Sequence, residues 1–347
     1  MGRPGTTWVA VAGLLIFAGV GVDEASADPI AVASWNIRNL GWDNGKDYDA
    51  VAAVAEYFDL IAVQEVMNDE GIETLHAHLE ARTGQDWAVV SSHHIGRGSY
   101  QEMYSFLWRE AAVDYTGESV VYLDDRDVFA REPVAARFEA VESDLTFTMG
   151  NIHAIYGDSV DRREAEARAL RAYWDWLGDV YPDDLVIIAG DFNLPPTNPA
   201  WAPMREVAAP SVIKGATTIS TIDGRFANLY DNLWVPVDRE LPIAGFGSLE
   251  FPHGVLGIDH ETARDRVSDH IPVWAILDST AAPLVMAAGP AASTSSTARP
   301  PVIGNRNSGI FHWPGCPGYD ATAEQNVIGF ADSSEAEAAG FRAARNC

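Results

Sequence analysis

Six apolar segments of this chain begin or end on a residue able to handle a proton, a phosphate or a cation. "IAVASWN" closes on Asn36, "LIAVQ" is followed by Glu65, and "FTMGNIHAIYG" carries His153. "IIAGDFNLPP" leaves its apolar run on Asp191 and Asn193, "DNLWV" begins on Asp231, and Asp269-His270 precedes "IPVWAIL". Singly, each has a plain structural explanation. Gly, Asp and Asn favour turns, a lone Glu ends many strands in solvent, and a histidine in an apolar strand is commonly a hydrogen-bonded core residue. As an ordered set they are the equipment for hydrolysing a phosphoester. Mg²⁺ takes oxygen ligands, usually one or two carboxylates plus waters and substrate phosphate, and Glu65 with Asn36 and the Asp191/Asn193 pair supplies that shell. Two histidines, which titrate near neutrality, supply acid–base chemistry. One deprotonates water, a second group protonates the leaving oxygen, and cation and donors stabilise the pentavalent phosphorane.

Such residues need a scaffold that delivers strand ends to one rim. Apolar runs predict strands over residues 30–37, 60–63, 87–90, 103–108, 145–155, 185–189, 232–235 and 272–277. Helices are expected over 48–58 and 160–180, where Leu170, Trp174 and Leu177 share a face. The pattern is α/β, with polar side chains converging above a sheet edge, where such folds place their sites. Residues 279–303 are rich in Ala, Ser, Thr and Pro and read as a linker between the 28–278 domain and a small module, 304–347.

Composition narrows the function. The 347 residues are 47% hydrophobic, enough for a packed core. A formal net charge of −27, with Lys46 and Lys214 the only lysines, argues against a basic, sequence-reading DNA-binding domain. It leaves room for an enzyme acting on a polyanion, because a few arginines and a divalent cation reverse the field locally. Residues 1–27 read as a secretory signal peptide: Arg3, an apolar run over 8–20 too short to span a membrane, and Ala25-Ser26-Ala27 before Asp28. The mature chain is therefore expected outside the cytoplasm, extracellular or periplasmic, with no stable membrane association, and as a monomer.

The ordered series "SWNIRNL", "LIAVQEV", "GRGSYQEMYSFLWR", "FAREPVAARF", "GNIHAIYGD", "IIAGDFN", "YDNLWV" and "VSDHIPV" resembles the endonuclease/exonuclease/phosphatase superfamily, and within it the secreted deoxyribonuclease I-like branch. The resemblance implies an α+β four-layer sandwich of two packed β-sheets flanked by helices, and a metal-dependent nuclease cutting DNA with little sequence specificity to leave 5′-phosphate ends. RNA as a substrate stays open. Carried over, Glu65 is the principal ligand of Mg²⁺ or Mn²⁺ with Asn36 beside it, and Asp269 serves the same metal region. His270, oriented by Asp231, is the general base, and His153, oriented by Glu102, is the second histidine. Asp191 and Asn193 hold the phosphate, while Tyr100, Arg97 and Arg131 contact the DNA backbone. Met67 stands where vertebrate relatives place an arginine that enters the minor groove, and the catalytic domain lacks cysteine, so stabilisation by Ca²⁺ cannot be assumed and Ca²⁺ as a further cation stays open. The alternatives are a phospholipase C or phosphatase of the same superfamily, such as a sphingomyelinase, and a noncatalytic DNA-binding protein.

The module after the linker holds both cysteines, Cys316 and Cys347. In an exported chain two cysteines most simply form one disulfide, worth about 3–4 kcal/mol for a loop of this length. The segment also resembles the small metal-binding module of Ada-type DNA repair proteins. Ala344 stands where that pattern has a cysteine, and His312, Cys316 and Cys347 make three ligands where structural zinc takes four. A disulfide is expected, and zinc is not.

Overall fold

The computed structural model describes residues 28–288 and 301–344, apart from positions 158, 222–224, 238, 307, 323–325 and 331. The expected signal peptide, most of the expected linker and Cys347 lie outside the described residues.

Two six-stranded sheets pack face to face. The first has the order β12 (Ile243–Ser248), β13 (Val273–Leu277), β1 (Ile30–Leu40), β2 (Leu60–Val66), β4 (Met103–Arg109), β3 (Trp87–Ser91). The second has the order β5 (Val113–Val121), β6 (Val134–Ala140), β7 (Thr146–His153), β8 (Leu185–Asp191), β10 (Asp231–Pro236), β9 (Ala208–Pro210). Each sheet has one parallel pair at its centre, β1 with β2 and β7 with β8, and antiparallel neighbours elsewhere.

The strands read as unbroken apolar runs because both faces of each sheet are covered. In β2, Leu60 and Ala62 join the core between the sheets, while Ile61 and Val63 join the outer core. Helices α1 (Tyr48–Ala55), α2 (Asp69–Thr83) and α5 (His260–Arg266) cover the first sheet. Helices α3 (Val160–Val180) and α4 (Ala202–Arg205) cover the second. The result is the expected four-layer sandwich. Its middle is sealed by rings such as Phe106, Trp108, Phe138 and Phe147.

Toward the rim the intersheet core turns polar. The Gln64 side-chain amide donates to Asn151 Oδ1 at 2.7 Å, and Asn151 Nδ2 donates to the carbonyls of Val63 and Ser105. All three side chains, Gln64, Asn151 and Ser105, are fully buried. A satisfied network of this kind fixes the register of one sheet against the other, which is what a site built from both sheets requires.

The segment read as a linker is not wholly free, since β14 (Leu284–Val285) pairs with β11 (Glu240–Leu241). The small module is a four-stranded sheet, β17 (Val327–Phe330), β15 (Val302–Asn305), β16 (Ile310–His312), β18 (Arg342–Ala343), with short helices α6 (Pro317–Ala321) and α7 (Ser333–Ala338). Cys316 is buried and disulfide-bonded. His312 is also buried, which lowers its pKa. Arg306 of the module reaches α3, with Nη1 2.6 Å from the buried Glu164 and 3.3 Å from Asp161. Glu164 keeps a second partner in Arg168, at 2.8 Å. Arg306→Ala is therefore expected to cost about 1–2 kcal/mol rather than the full penalty of an unpaired buried charge. Urea unfolding of residues 28–347 measures this, and an unshifted midpoint would show the contact to be idle.

Candidate active site

The C-terminal ends of both parallel pairs meet at one rim. β1 and β2 bring Asn36 and Glu65; β7 and β8 bring His153 and Asp191, which are paired in register. Asp231 opens β10 directly across from Asp191, and His270 precedes β13. Two local distortions aim the carboxylates. Strand pairing shifts on both sides of β2 next to Glu65, whose φ of 58° is left-handed, and a kink of this kind re-aims a side chain. After β8, Asn193 also has positive φ, 49°, and its amide donates to Asp191 Oδ1 at 3.0 Å. "GDFN" is thus a turn and a site at once: one Asp191 oxygen closes the turn and the other faces the rim. Gly190 permits this, since a Cβ there would lie 1.9 Å from the Ile152 carbonyl oxygen.

Two carboxylate-backed imidazoles flank Asp191. His153 Nδ1 lies 2.8 Å from Glu102 Oε1, and His270 Nδ1 lies 2.8 Å from Asp231 Oδ2. Each Nε2 is then 3.6 Å from the same atom, Asp191 Oδ2. Burial and Arg131 work against a charge on His153, but Glu102 and Asp191 outweigh them and hold its pKa above the usual value. For His270 burial is likewise overcome, by Asp231 and then Asp191, and its pKa stands well above the usual value. Burial pushes Asp231 up to about 6 against the pull of His270.

Asn36 Nδ2 donates to Glu65 Oε1 at 3.0 Å and to Asp191 Oδ2 at 3.2 Å, and the Asn39 amide donates to Glu65 Oε2 at 2.9 Å. Glu65, Asp191, Asp231 and Glu102 thus crowd around two histidines and Arg131 at the floor of a cleft of about 820 Å³. Hard oxygen donors in excess of nearby positive charge suit a divalent cation. Glu65, Asn36 and Asp191 can hold one. Asp191, Asp231 and His270 also place ligand atoms within 4.8 Å of one another, but Asp231 and His270 Nδ1 are already bonded to each other.

Residues 33–270 match the sequence model of the Endonuclease/Exonuclease/phosphatase family. The chain belongs to this family. Among relatives, a deoxyribonuclease of Thioalkalivibrio sp. (strain K90mix) is 52% identical over 262 residues, 74% of this chain and 73% of that protein. Human deoxyribonuclease-1-like 2 is 29% identical over 124 residues, 34% of this chain and 41% of that protein's length. A solved structure of a functionally unknown conserved protein from Enterococcus faecalis V583 superposes with a TM-score of 0.54 at 16% identity, covering 72% of this chain and 100% of that one, which shows the shared fold. The tail differs from expectation: residues 281–343 match the ArfC family model, not the Ada-type module. That match begins inside the stretch read as a linker.

Within the family frame, three expected contacts are placed differently. Arg97 does not border the cleft; its guanidinium pairs with Asp127 at 2.8 Å. Arg131 borders it but is buried, donating to the carbonyls of His153 and Ala154 with Glu102 at 3.5 Å, so it braces the second histidine. Asp269 lies 3.5 Å from Arg264 and 3.9 Å from Arg38, and its carboxylate orients arginines. Tyr100 does border the cleft, and Asn193 reaches back to the Ala154 carbonyl at 2.9 Å.

Other contributors went unread in the sequence. Tyr104 hydroxyl accepts from the His153 amide, and Glu166 accepts from the amides of Ala130 and Ile155, fixing the segments that carry Arg131 and His153. Lys46, one of two lysines, donates to the carbonyls of Ile37, Arg38 and Val267 at 2.7–2.8 Å. It clamps the left-handed turn at Arg38 and Asn39, whose φ values are 36° and 51°. Burial lowers its pKa to about 8. Lys46→Met leaves three carbonyls without their donor, and a loss of about 2–3 kcal/mol is expected. Urea unfolding checks it; a cost below the noise would mean the turn holds itself.

Proposed function

We propose that the chain is an exported, divalent-cation-dependent nuclease that hydrolyses DNA phosphodiester bonds with little sequence preference and leaves 5′-phosphate ends. The observation that carries the reading is the convergence of two carboxylate-backed imidazoles on Asp191, next to the Glu65–Asn36 pair, on the floor of an open cleft. The relatives named as deoxyribonucleases support DNA as the substrate. The disulfide at Cys316 is in keeping with an oxidising compartment, and no described helix is long and apolar enough to cross a membrane.

Glu65 and Asn36, with Asp191 alongside, would hold Mg²⁺ or Mn²⁺, which supplies charge neutralisation at the phosphate oxygens. A cation held beside Asp191 would offset one of the three carboxylates, Asp231, Asp191 and Asp269, that favour the charged form of His270, which as general base has to be neutral. Asp231 keeps Nδ1 protonated, so Nε2 is the nitrogen that takes the proton from water. His153, protonated and backed by Glu102, presents Nε2–H to the leaving 3′ oxygen or to the phosphate. Asn193 holds its turn so that Asp191 stays between the two rings. A single copy contains every one of these groups, and the enzyme is proposed to work as a monomer.

The test compares bis(p-nitrophenyl) phosphate, p-nitrophenyl phosphate and sphingomyelin. Turnover of the diester, with little of the monoester or the lipid, is expected. Preferential monoester or sphingomyelin turnover would move the chain to the phosphatase or phospholipase reading.

A further inference from the structure

We propose that Trp42 and Tyr100 form a stacking subsite for an unpaired nucleobase of the substrate strand, and that stacking rather than phosphate charge supplies most of the grip. The proposal rests on the DNA-cleaving reading above and names the form of DNA that it takes. Both rings border the catalytic cleft, half exposed at 49% and 40%, with centroids 6.0 Å apart and planes at 82°. Tyr156, 75% exposed, borders the same cleft from the second sheet. Ten large apolar side chains are well exposed among the described residues, and these three gather at one opening. Large aromatic area kept in water beside a catalytic floor is what a ligand with a flat π-face would cover.

The turn that carries Trp42 is braced for such a task. Trp42 donates its amide to the Asn39 carbonyl at 3.2 Å, and Gly41 is held through its carbonyl by Asn68 Nδ2 at 2.8 Å. Asn68 also caps α2. Gly71 approaches so closely that a Cβ on it would lie 2.4 Å from Gly41 Cα. Tyr100 is tied by its hydroxyl to Asn39 Oδ1 at 3.2 Å. A turn fixed before the ligand arrives loses little freedom on binding.

The cations around the cleft are already engaged. Arg38 lies 3.5 Å from Asp265 and 3.9 Å from Asp269, while Arg264 lies 3.3 Å and 3.5 Å from the same two carboxylates. Arg131 is buried with Glu102. Binding driven by phosphate contacts requires cations free to replace the counterions of DNA, and a chain of net charge −27 offers few. Met67, buried beneath Tyr100, puts no charge toward a groove. Stacking tolerates any base because every base has a π-face, but that face is reachable only where the base is unpaired or unstacked.

The experiment measures KM of the mature chain on a single-stranded oligonucleotide, its duplex, and the same strand with abasic sites, between 50 and 500 mM NaCl. Wild type is expected to favour the single strand over the duplex, with KM rising less than about threefold over that salt range. Trp42→Ala is expected to raise KM on the single strand about tenfold, Trp42→Phe to restore most of it, and the abasic strand to abolish the difference between wild type and Trp42→Ala. Cleavage of DNA by wild type with an unchanged KM for Trp42→Ala, or a steep salt dependence, would overturn the subsite alone. Failure of wild type to cleave any of the three would instead remove the nuclease reading on which it rests.

Discussion

Replacing His270 by alanine is expected to lower kcat for DNA cleavage by about 10²–10⁴-fold, the range for losing a positioned general base. KM should change little, because the imidazole is mostly covered at the floor and makes its contribution to the reacting water rather than to the bound strand. Folding should survive: the main-chain carbonyl of His270 still accepts from Trp35 Nε1 at 2.8 Å. Asp231→Asn should give a smaller loss. An amide still occupies the space but can present its NH₂ to Nδ1, which favours the wrong tautomer. A His270→Ala protein that cleaves plasmid at more than a tenth of the wild-type rate would remove His270 from the chemistry. A fall in the unfolding midpoint equal to that of a core deletion would mean the loss was structural.

Glu65→Gln is expected to cost about 10³-fold in kcat and to weaken Mn²⁺ binding measured by calorimetry without substrate. The estimate follows from the several kcal/mol that a bound cation contributes to stabilising charge on a phosphoryl group, at about 1.4 kcal/mol per tenfold. Glutamine keeps the size but removes the charge and one of the two acceptor oxygens, so only one of the bonds from Asn36 Nδ2 and the Asn39 amide keeps its acceptor. The calorimetric readout separates two sites. If Mn²⁺ affinity is unchanged in Glu65→Gln but lost in Asp191→Asn, the cation sits among Asp191, Asp231 and His270 instead.

How much of this was legible in the residues divides along physical lines. Strands buried on both faces announce themselves as apolar runs, so β1, β2, β4, β7, β8 and β10 were readable together with the polar residues on their ends. β5 was not, because most of its residues are half or fully exposed and its sequence reads as a polar loop. In β6 the alternation is broken by Arg137, which pairs with the buried Asp184 at 3.0 Å. Helix α2 buries only Ile72, Leu75 and Leu79 besides a glycine, though its ends were marked by Asn68 and by Gly84 at φ 65°.

The site was legible in its residue types and less so in its geometry. Nothing in "QEV" reveals that Glu65 adopts a left-handed backbone, because that conformation is imposed by strand pairing around it. An arginine in "REP" reads as a surface cation until the fold shows carbonyls and a carboxylate enclosing it. Arg97 has a neighbour that no local pattern marks: it pairs with the exposed Asp127 at 2.8 Å. The tail's resemblance rested on spacing among few residues, and short patterns of that kind fit more than one family.

The most direct measurement is cleavage of supercoiled plasmid by residues 28–347 in Mg²⁺ and in EDTA, wild type beside His270→Ala, with the product ends tested for ligation and for labelling by kinase. The account predicts nicking by wild type in Mg²⁺ only, ligatable 5′-phosphate ends, and near-silence of the variant. Nicking that persists in excess EDTA, or equal nicking by His270→Ala, would contradict it.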